Sequence, residues 1–179
     1  MSKVYVFLAE GFEEIEGLTV VDLLRRAKID TEMVSVMDGK QIKGSHGIKV
    51  TADRMFADVD FSDADVLVLP GGMPGTLNLG NHEGLCELLK KHYEAGKMVA
   101  AICAAPSVFG ELGFLKGRIA TCYPGFENKL EGAIVCAAKV AVDENVVTAK
   151  GMGAAIDFSL KLIELLANLE TAAEISDAI

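Results

Sequence analysis

Along this chain, short apolar runs rich in β-branched and aromatic residues alternate with longer stretches of helical period. Residues 4–9 (VYVFLA) have the length and composition of a strand buried on both faces. Residues 13–27 follow as a helix, with Ile15, Leu18, Val21 and Leu24 read as its inner face. Residues 31–36 alternate as a second strand, and the Gly- and Lys-rich segment 38–51 reads as a hairpin. Residues 66–69 (VLVL) form another buried strand, closed by Pro70-Gly71-Gly72. Residues 83–95 are an amphipathic helix, and residues 98–102 a strand that runs into Cys103, with Pro106 near the start of the next helix. Residues 118–122 and the pair within 140–149 are later strands, and residues 154–167 a closing helix through Ile156, Leu160, Ile163 and Leu166. Such alternation builds parallel βαβ units, an α/β sandwich whose mostly parallel central sheet carries helices on both faces.

A length of 179 residues fits one domain, and no linker, low-complexity tract or repeat divides residues 1–179. The 17 Lys and Arg against 26 Asp and Glu give a net charge of −9. A surface of that sign repels phosphate backbones and anionic lipid, so neither nucleic acid nor membrane is expected as a partner. Pro70, Pro74 and several glycines break the longest uncharged stretch, and Glu10 interrupts the first apolar run, so neither reads as a membrane span or leader. The expected location is the cytoplasm. The four cysteines at 86, 103, 122 and 136 show no Cys-x-x-Cys or zinc-type spacing, so no metal is expected. By default each is a small buried hydrophobe and a free thiol.

In open α/β sheets, chemistry gathers where strands end and helices begin. Three such junctions carry unusual residues. In Met98–Pro106 (MVAAICAAP) a strand turns directly into a helix, placing Cys103 on a tight elbow between alanines. The free N–H groups of a helix start favour a thiolate there. In Leu69-Pro70-Gly71-Gly72 the glycines either let backbone N–H groups approach a ligand, as an oxyanion hole requires, or serve an ordinary turn. In Glu10–Glu16 (EGFEEIE), Glu13 and Glu14 complement the helix dipole. Glu16 follows Ile15, taken as buried, and is read as facing the sheet, where a thiolate in an apolar pocket pushes it towards protonation.

The ordered segments AEGFEEIE, LPGG, AAICAAP and GMGAAIDF resemble the DJ-1/ThiJ/PfpI superfamily, with spacing that agrees across essentially the whole chain. The branch most similar is that of the parkinsonism-associated protein and its small bacterial relatives. The resemblance implies a flavodoxin-like three-layer sandwich, a homodimer and no cofactor. By position it implies that Cys103 is the nucleophile, that Glu16 hydrogen-bonds it, and that Gly72 and Ala104 supply backbone donors beside Gly71. Two departures stand out. Tyr123-Pro124 occupies the place of a His-Pro pair, and no histidine follows Cys103. His46 stands where close relatives tend to carry arginine near the pocket. Tyr123 and His46 are therefore candidate pocket residues, although a solvated hairpin explains His46 equally. Ala104 fills the slot of the elbow histidine in the protease-like branch, which opposes peptidase activity. The histidine and glutamate that a class I glutamine amidotransferase needs after its nucleophile are missing in that order.

The implied function is a cofactor-independent cysteine enzyme acting on methylglyoxal, glyoxal or their early protein adducts, of glyoxalase or deglycase type. The alternative is a redox-sensing or chaperone-like stress protein whose Cys103 is oxidised to a sulfinate stabilised by protonated Glu16.

Overall fold

The computed structural model describes residues 2–179. The chain begins β1 (Lys3–Leu8), α1 (Glu14–Arg26), β2 (Asp30–Ser35), then β3 (Gln41–Lys43) and β4 (Lys49–Thr51), then β5 (Arg54–Met55). It continues through β6 (Val66–Leu69), α2 (Gly75–Gly80), α3 (Glu83–Glu94), β7 (Met98–Ile102) and α4 (Pro106–Glu111). The last third holds β8 (Ile119–Ala120), β9 (Ile134–Val135), β10 (Val140–Asp143), β11 (Val146–Ala149), α5 (Ala155–Leu166) and α6 (Leu169–Asp177).

Seven strands form one sheet in the order β10-β11-β7-β6-β1-β2-β5. Every pairing in it is parallel except β10 with β11, which joins a hairpin. The central strands are buried on both faces, and alternation divides their side chains between two cores. Val4, Val6 and Leu8 of β1 pack with Val66, Val68, Ala100 and Ile102 against α1 and α5. Tyr5 and Phe7 pack with Leu67, Leu69, Val99 and Ala101 against α2, α3 and α4. The result is the mixed α/β sandwich that the alternating sequence predicts.

Two helical faces differ from their sequence reading. In α1 the buried residues are Glu14, Glu16, Gly17, Val20, Val21, Leu23 and Leu24, whereas Ile15 is 48% exposed. A series spaced strictly by three drifts by about 60° per step at 100° per residue, so Ile15 and Leu24 lie on opposite sides of the helix. In α5 the buried side is Ala155, Phe158, Ser159, Leu162 and Ile163; Ile156 is exposed and Leu160 half-buried. The strand read at 118–122 is only Ile119–Ala120. The short α2 and the terminal α6, which docks Ala172 beside α5, are six and nine residues long and are missing from the sequence reading.

Candidate active site

The chain leaves β1 towards β2 on one side of the sheet and returns to β6 and β7 on the other. The crevice between β1 and β6 is therefore the topological switch point, where open α/β sheets bind ligands beyond the strand ends. Three connections meet there: residues 9–13 into α1, residues 70–74 into α2, and residues 103–105 into α4.

Cys103 adopts φ 67°, a left-handed conformation that costs a residue with a Cβ roughly 1–2 kcal/mol. Its neighbours hold it there. The Cys103 N–H donates to the Ala149 carbonyl at 2.9 Å, and its own carbonyl accepts the Tyr123 N–H at 2.8 Å. Fixing both peptide groups lets the elbow keep this strain, which turns the half-buried thiol towards the ends of β6 and α1.

Glu16 is the acid facing that thiol. It is 1% exposed, and its Oε2 accepts the Gly71 N–H at 2.9 Å while its Oε1 has no hydrogen-bond partner. The Cys103 side chain is the thiol that interacts with this carboxyl, and the N–H groups of Gly72 and Ala104 act on the sulfur. Gly72 sits at φ 92°, a region that favours glycine, and a Cβ there would run into the Glu13 backbone. In turn the Glu13 N–H donates to the Gly71 carbonyl at 2.8 Å, locking α1 to the end of β6.

Burial pushes the Glu16 carboxyl up to about 7. Burial, and next the Glu16 charge, pushes the Cys103 thiol up to about 12. The expectation of a thiol lowered by the helix start is thereby corrected: desolvation and a facing carboxylate outweigh two N–H donors and a six-residue α4. The two groups compete for one proton. When Glu16 carries it, the charge opposing the thiolate is gone and the pair titrates as a unit.

His46 lies on the loop between β3 and β4, with its side chain 69% exposed. Its N–H donates to Glu14 Oε1 at 2.8 Å and its Nδ1 lies 3.1 Å from Glu14 Oε2, while Ser45 Oγ reaches Glu13 and Glu14 at 3.3 Å each. Glu14 thus does more than complement the helix dipole; it is 4% exposed and clamps the hairpin to α1. Burial alone would raise its carboxyl, but its own N–H and the His46 and Ile48 donors hold it down at about 2. Glu13, Glu14 and His46 offer metal-ligand atoms within 4.8 Å of one another. Because Glu14 already accepts from the hairpin through both oxygens, the grouping acts as a clamp and needs no cation to explain it.

The structure therefore brings together Cys103, Glu16, Gly71, Gly72 and Ala104. Tyr123 joins them through its backbone; its half-exposed ring lies against Gly151. The clamp keeps His46 at the rim. The Ala149 carbonyl, which anchors the elbow, had no signal in the sequence, since any residue presents that group.

An elbow cysteine beside a buried acid at the switch point of this sandwich defines a class of cysteine-centred α/β domains. Within it, the family model described as the DJ-1/PfpI family matches residues 2–165, and the chain belongs to that family. Similar proteins include Protein DJ-1 homolog B of Arabidopsis thaliana, 39% identical over 97% of this chain. The chain spans only 40% of that protein and 45% of its homolog A. Deglycase TK1284 of Thermococcus kodakarensis is 32% identical over 92% of this chain and 99% of its own length. Among solved structures, oxidized Toxoplasma gondii DJ-1 matches with a TM-score of 0.96 and 37% identity, covering 99% of this chain and 97% of that one. Among the described residues, no helix is long and apolar enough to cross a membrane.

Proposed function

We propose that the chain is a cofactor-independent cysteine enzyme acting on small dicarbonyls such as methylglyoxal and glyoxal, or on their early protein adducts. The observation that carries this reading is the contact of the Cys103 elbow with buried Glu16 and the Gly72 and Ala104 N–H groups. The deglycase name of the Thermococcus relative supports the substrate class. In the reaction, Glu16 takes the Cys103 proton as the sulfur adds to the aldehyde carbon and passes it to the former carbonyl oxygen, which becomes the hydroxyl of a hemithioacetal held by backbone N–H groups. Glu16 takes the proton from that carbon and returns it to the adjacent one, leaving a thioester of a hydroxy acid. Water then cleaves the thioester, releasing lactate from methylglyoxal and restoring the thiol. No redox partner is consumed. A homodimer is proposed, which the exposed apolar Ile15 and Ile48 support, and the setting proposed is the cytoplasm.

A second reading draws on the absence of any histidine after Cys103. In it, peroxide delivers two oxygen atoms to Cys103, and protonated Glu16 donates a hydrogen bond to the sulfinate. One experiment separates the two: methylglyoxal consumption by wild type and Cys103→Ser, with intact mass after mild peroxide. Turnover lost in the serine variant supports the enzyme. No turnover in either protein, with a two-oxygen gain at Cys103, supports the sensor. Equal turnover in both overturns the assignment of Cys103.

A further inference from the structure

Both peptide groups of Cys103 are held from β11, one directly and one at a distance. Directly, the Ala149 carbonyl accepts the Cys103 N–H at 2.9 Å. The residue before it, Thr148, is 0% exposed in a strand that otherwise reads Val-Val-Ala. Val147 and Ala149 pack into the core against α1 and α5, and Val146 into the core against α2, α3 and α4. Alternation therefore turns Thr148 to the second core, in register with Ala101. A hydroxyl in such surroundings is costly unless it is hydrogen-bonded, and valine has the same shape without that cost. Thr148 has a partner. Its Oγ1 accepts the N–H of Thr121 at 3.0 Å, and Thr121 is itself 1% exposed.

Thr121 directly follows β8 and stands two residues before Tyr123, with buried Cys122 between them. The Tyr123 N–H donates to the Cys103 carbonyl at 2.8 Å. The contacts close a circuit that leaves β11 at the Thr148 hydroxyl, passes through residues 121–123 and Cys103, and returns to β11 at Ala149. From this circuit we infer that Thr148 is a positioning residue of the Cys103 elbow, holding through Thr121 the Tyr123 N–H that fixes the Cys103 carbonyl. A residue at φ 67° keeps its strain only while its surroundings over-determine it. Without the hydroxyl, the buried Thr121 N–H has no acceptor, and residues 121–123 must shift to find one. The Cys103 carbonyl is then released, and the sulfur withdraws from Glu16 and gains water. Burial, and next the Glu16 charge, lift the thiol from 9 to about 12, and both weaken together in that movement. The inference concerns the elbow and not the reaction run on it, so it stands apart from the dicarbonyl reading.

The test compares wild type, Thr148→Val and Thr148→Ser in the full chain. Limiting iodoacetamide is followed by peptide mapping, and the Cys103 rate is divided by that of Cys86, which is half-buried on α3. Thr148→Val should raise this ratio at pH 8 by about tenfold or more, because each unit by which the thiol falls multiplies its thiolate about tenfold. It should also shift the Cys103 pH–rate profile to lower pH. Hydrogen exchange should show protection lost at the Thr121 and Tyr123 amides and kept in β7. Thr148→Ser keeps the hydroxyl and should return the ratio to within about twofold of wild type. Should Thr148→Val fail to fold, Thr148→Ser against Thr148→Ala is read by the same ratio. An unchanged ratio on loss of the hydroxyl, an equal rise at Cys86 and Cys103, or a serine variant that behaves like the variant without a hydroxyl would overturn the inference.

Discussion

Glu16 and Cys103 meet across the bare Cα of Gly71. A Cβ built at Gly71 would lie 2.5 Å from Cys103 Cβ and 2.6 Å from Glu16 Oε2, with the Ile102 carbonyl at 2.9 Å. The same glycine donates its N–H to Glu16 Oε2 at 2.9 Å. The acid and the thiol therefore depend on a missing side chain at the end of β6 as much as on their own identities.

Gly71→Ala tests that dependence. A methyl group there must displace Cys103 or the β7 backbone, and overpacking of this kind costs about 1–3 kcal/mol. Chemical denaturation should show a loss of that size. Displacing the elbow should also change the Cys103 alkylation rate by roughly tenfold or more, since small misplacements at reacting groups are costly. Unaltered Cys103 kinetics would show that position 71 does not set the contact.

Glu16→Gln tests the shared proton. Burial raises the folded carboxyl from 4.5 to about 7, so the folded state holds a proton that the unfolded chain has already lost. Stability from this group is complete below about 4.5 and declines as pH rises through about 7. At about 1.4 kcal/mol per unit, the wild type should lose up to roughly 3 kcal/mol relative to the glutamine variant across that window. The same variant removes the carboxylate facing the thiol, so Cys103 should form thiolate at lower pH than in wild type, read by ultraviolet absorbance. A stability difference independent of pH, or an unshifted thiolate titration, would refute the coupling.

Most of the strand–helix order and the elbow were legible because each follows from local chemistry, whereas Glu16 was placed correctly by the family resemblance and not by its supposed neighbour, a buried Ile15, which is exposed. β-branched apolar runs such as Val66–Leu69 cannot face water, and a cysteine between a buried strand and a proline-started helix marks an abrupt turn. What escaped depends on phase and on distant partners. The inner face of α1 was misjudged because Ile15 and Leu18 are apolar, yet rotation of the helix spends its buried positions on Glu14 and Glu16. Glu14 can be buried because the hairpin supplies N–H donors from residues more than 30 positions away, which no local pattern records. The protonation of Cys103 was also misjudged, since the opposing burial and charge arise only when α1 and β7 are brought together.

The rotation of α5 gives a paired prediction. Phe158 is 0% exposed between the sheet and α1, whereas Ile156 is 50% exposed on the same helix. Phe158→Ala should cost about 3–5 kcal/mol in denaturant unfolding, the range for a large core residue truncated to a cavity. Ile156→Ala should remain within about 0.5 kcal/mol, as surface changes do. Comparable losses for the two would mean that the buried face had been assigned to the wrong side.

His46→Ala probes the clamp through pH. The hydrogen bond to Glu14, followed by the Glu13 charge, raises the imidazole above its ordinary 6.5, so the folded state keeps a proton longer than the unfolded chain. The resulting stability is fully present below about 6.5 and is lost as pH rises through the folded value. Glu14 has the opposite sign. Held at about 2, it stabilises above its ordinary 4.5 and loses that contribution as pH falls towards 2. The charged pair is therefore complete only between about 4.5 and 6.5. Melting temperatures of wild type and His46→Ala should differ most at about pH 5.5 and converge as pH rises past the raised folded value, where the imidazole is neutral in both folded and unfolded chains. Because the ring is turned to solvent and bonded to α1, Cys103 alkylation should change little beside its change in Gly71→Ala. A melting difference that stays constant with pH would show that His46 contributes packing without charge; one that widens at high pH would reverse the sign of the pairing with Glu14.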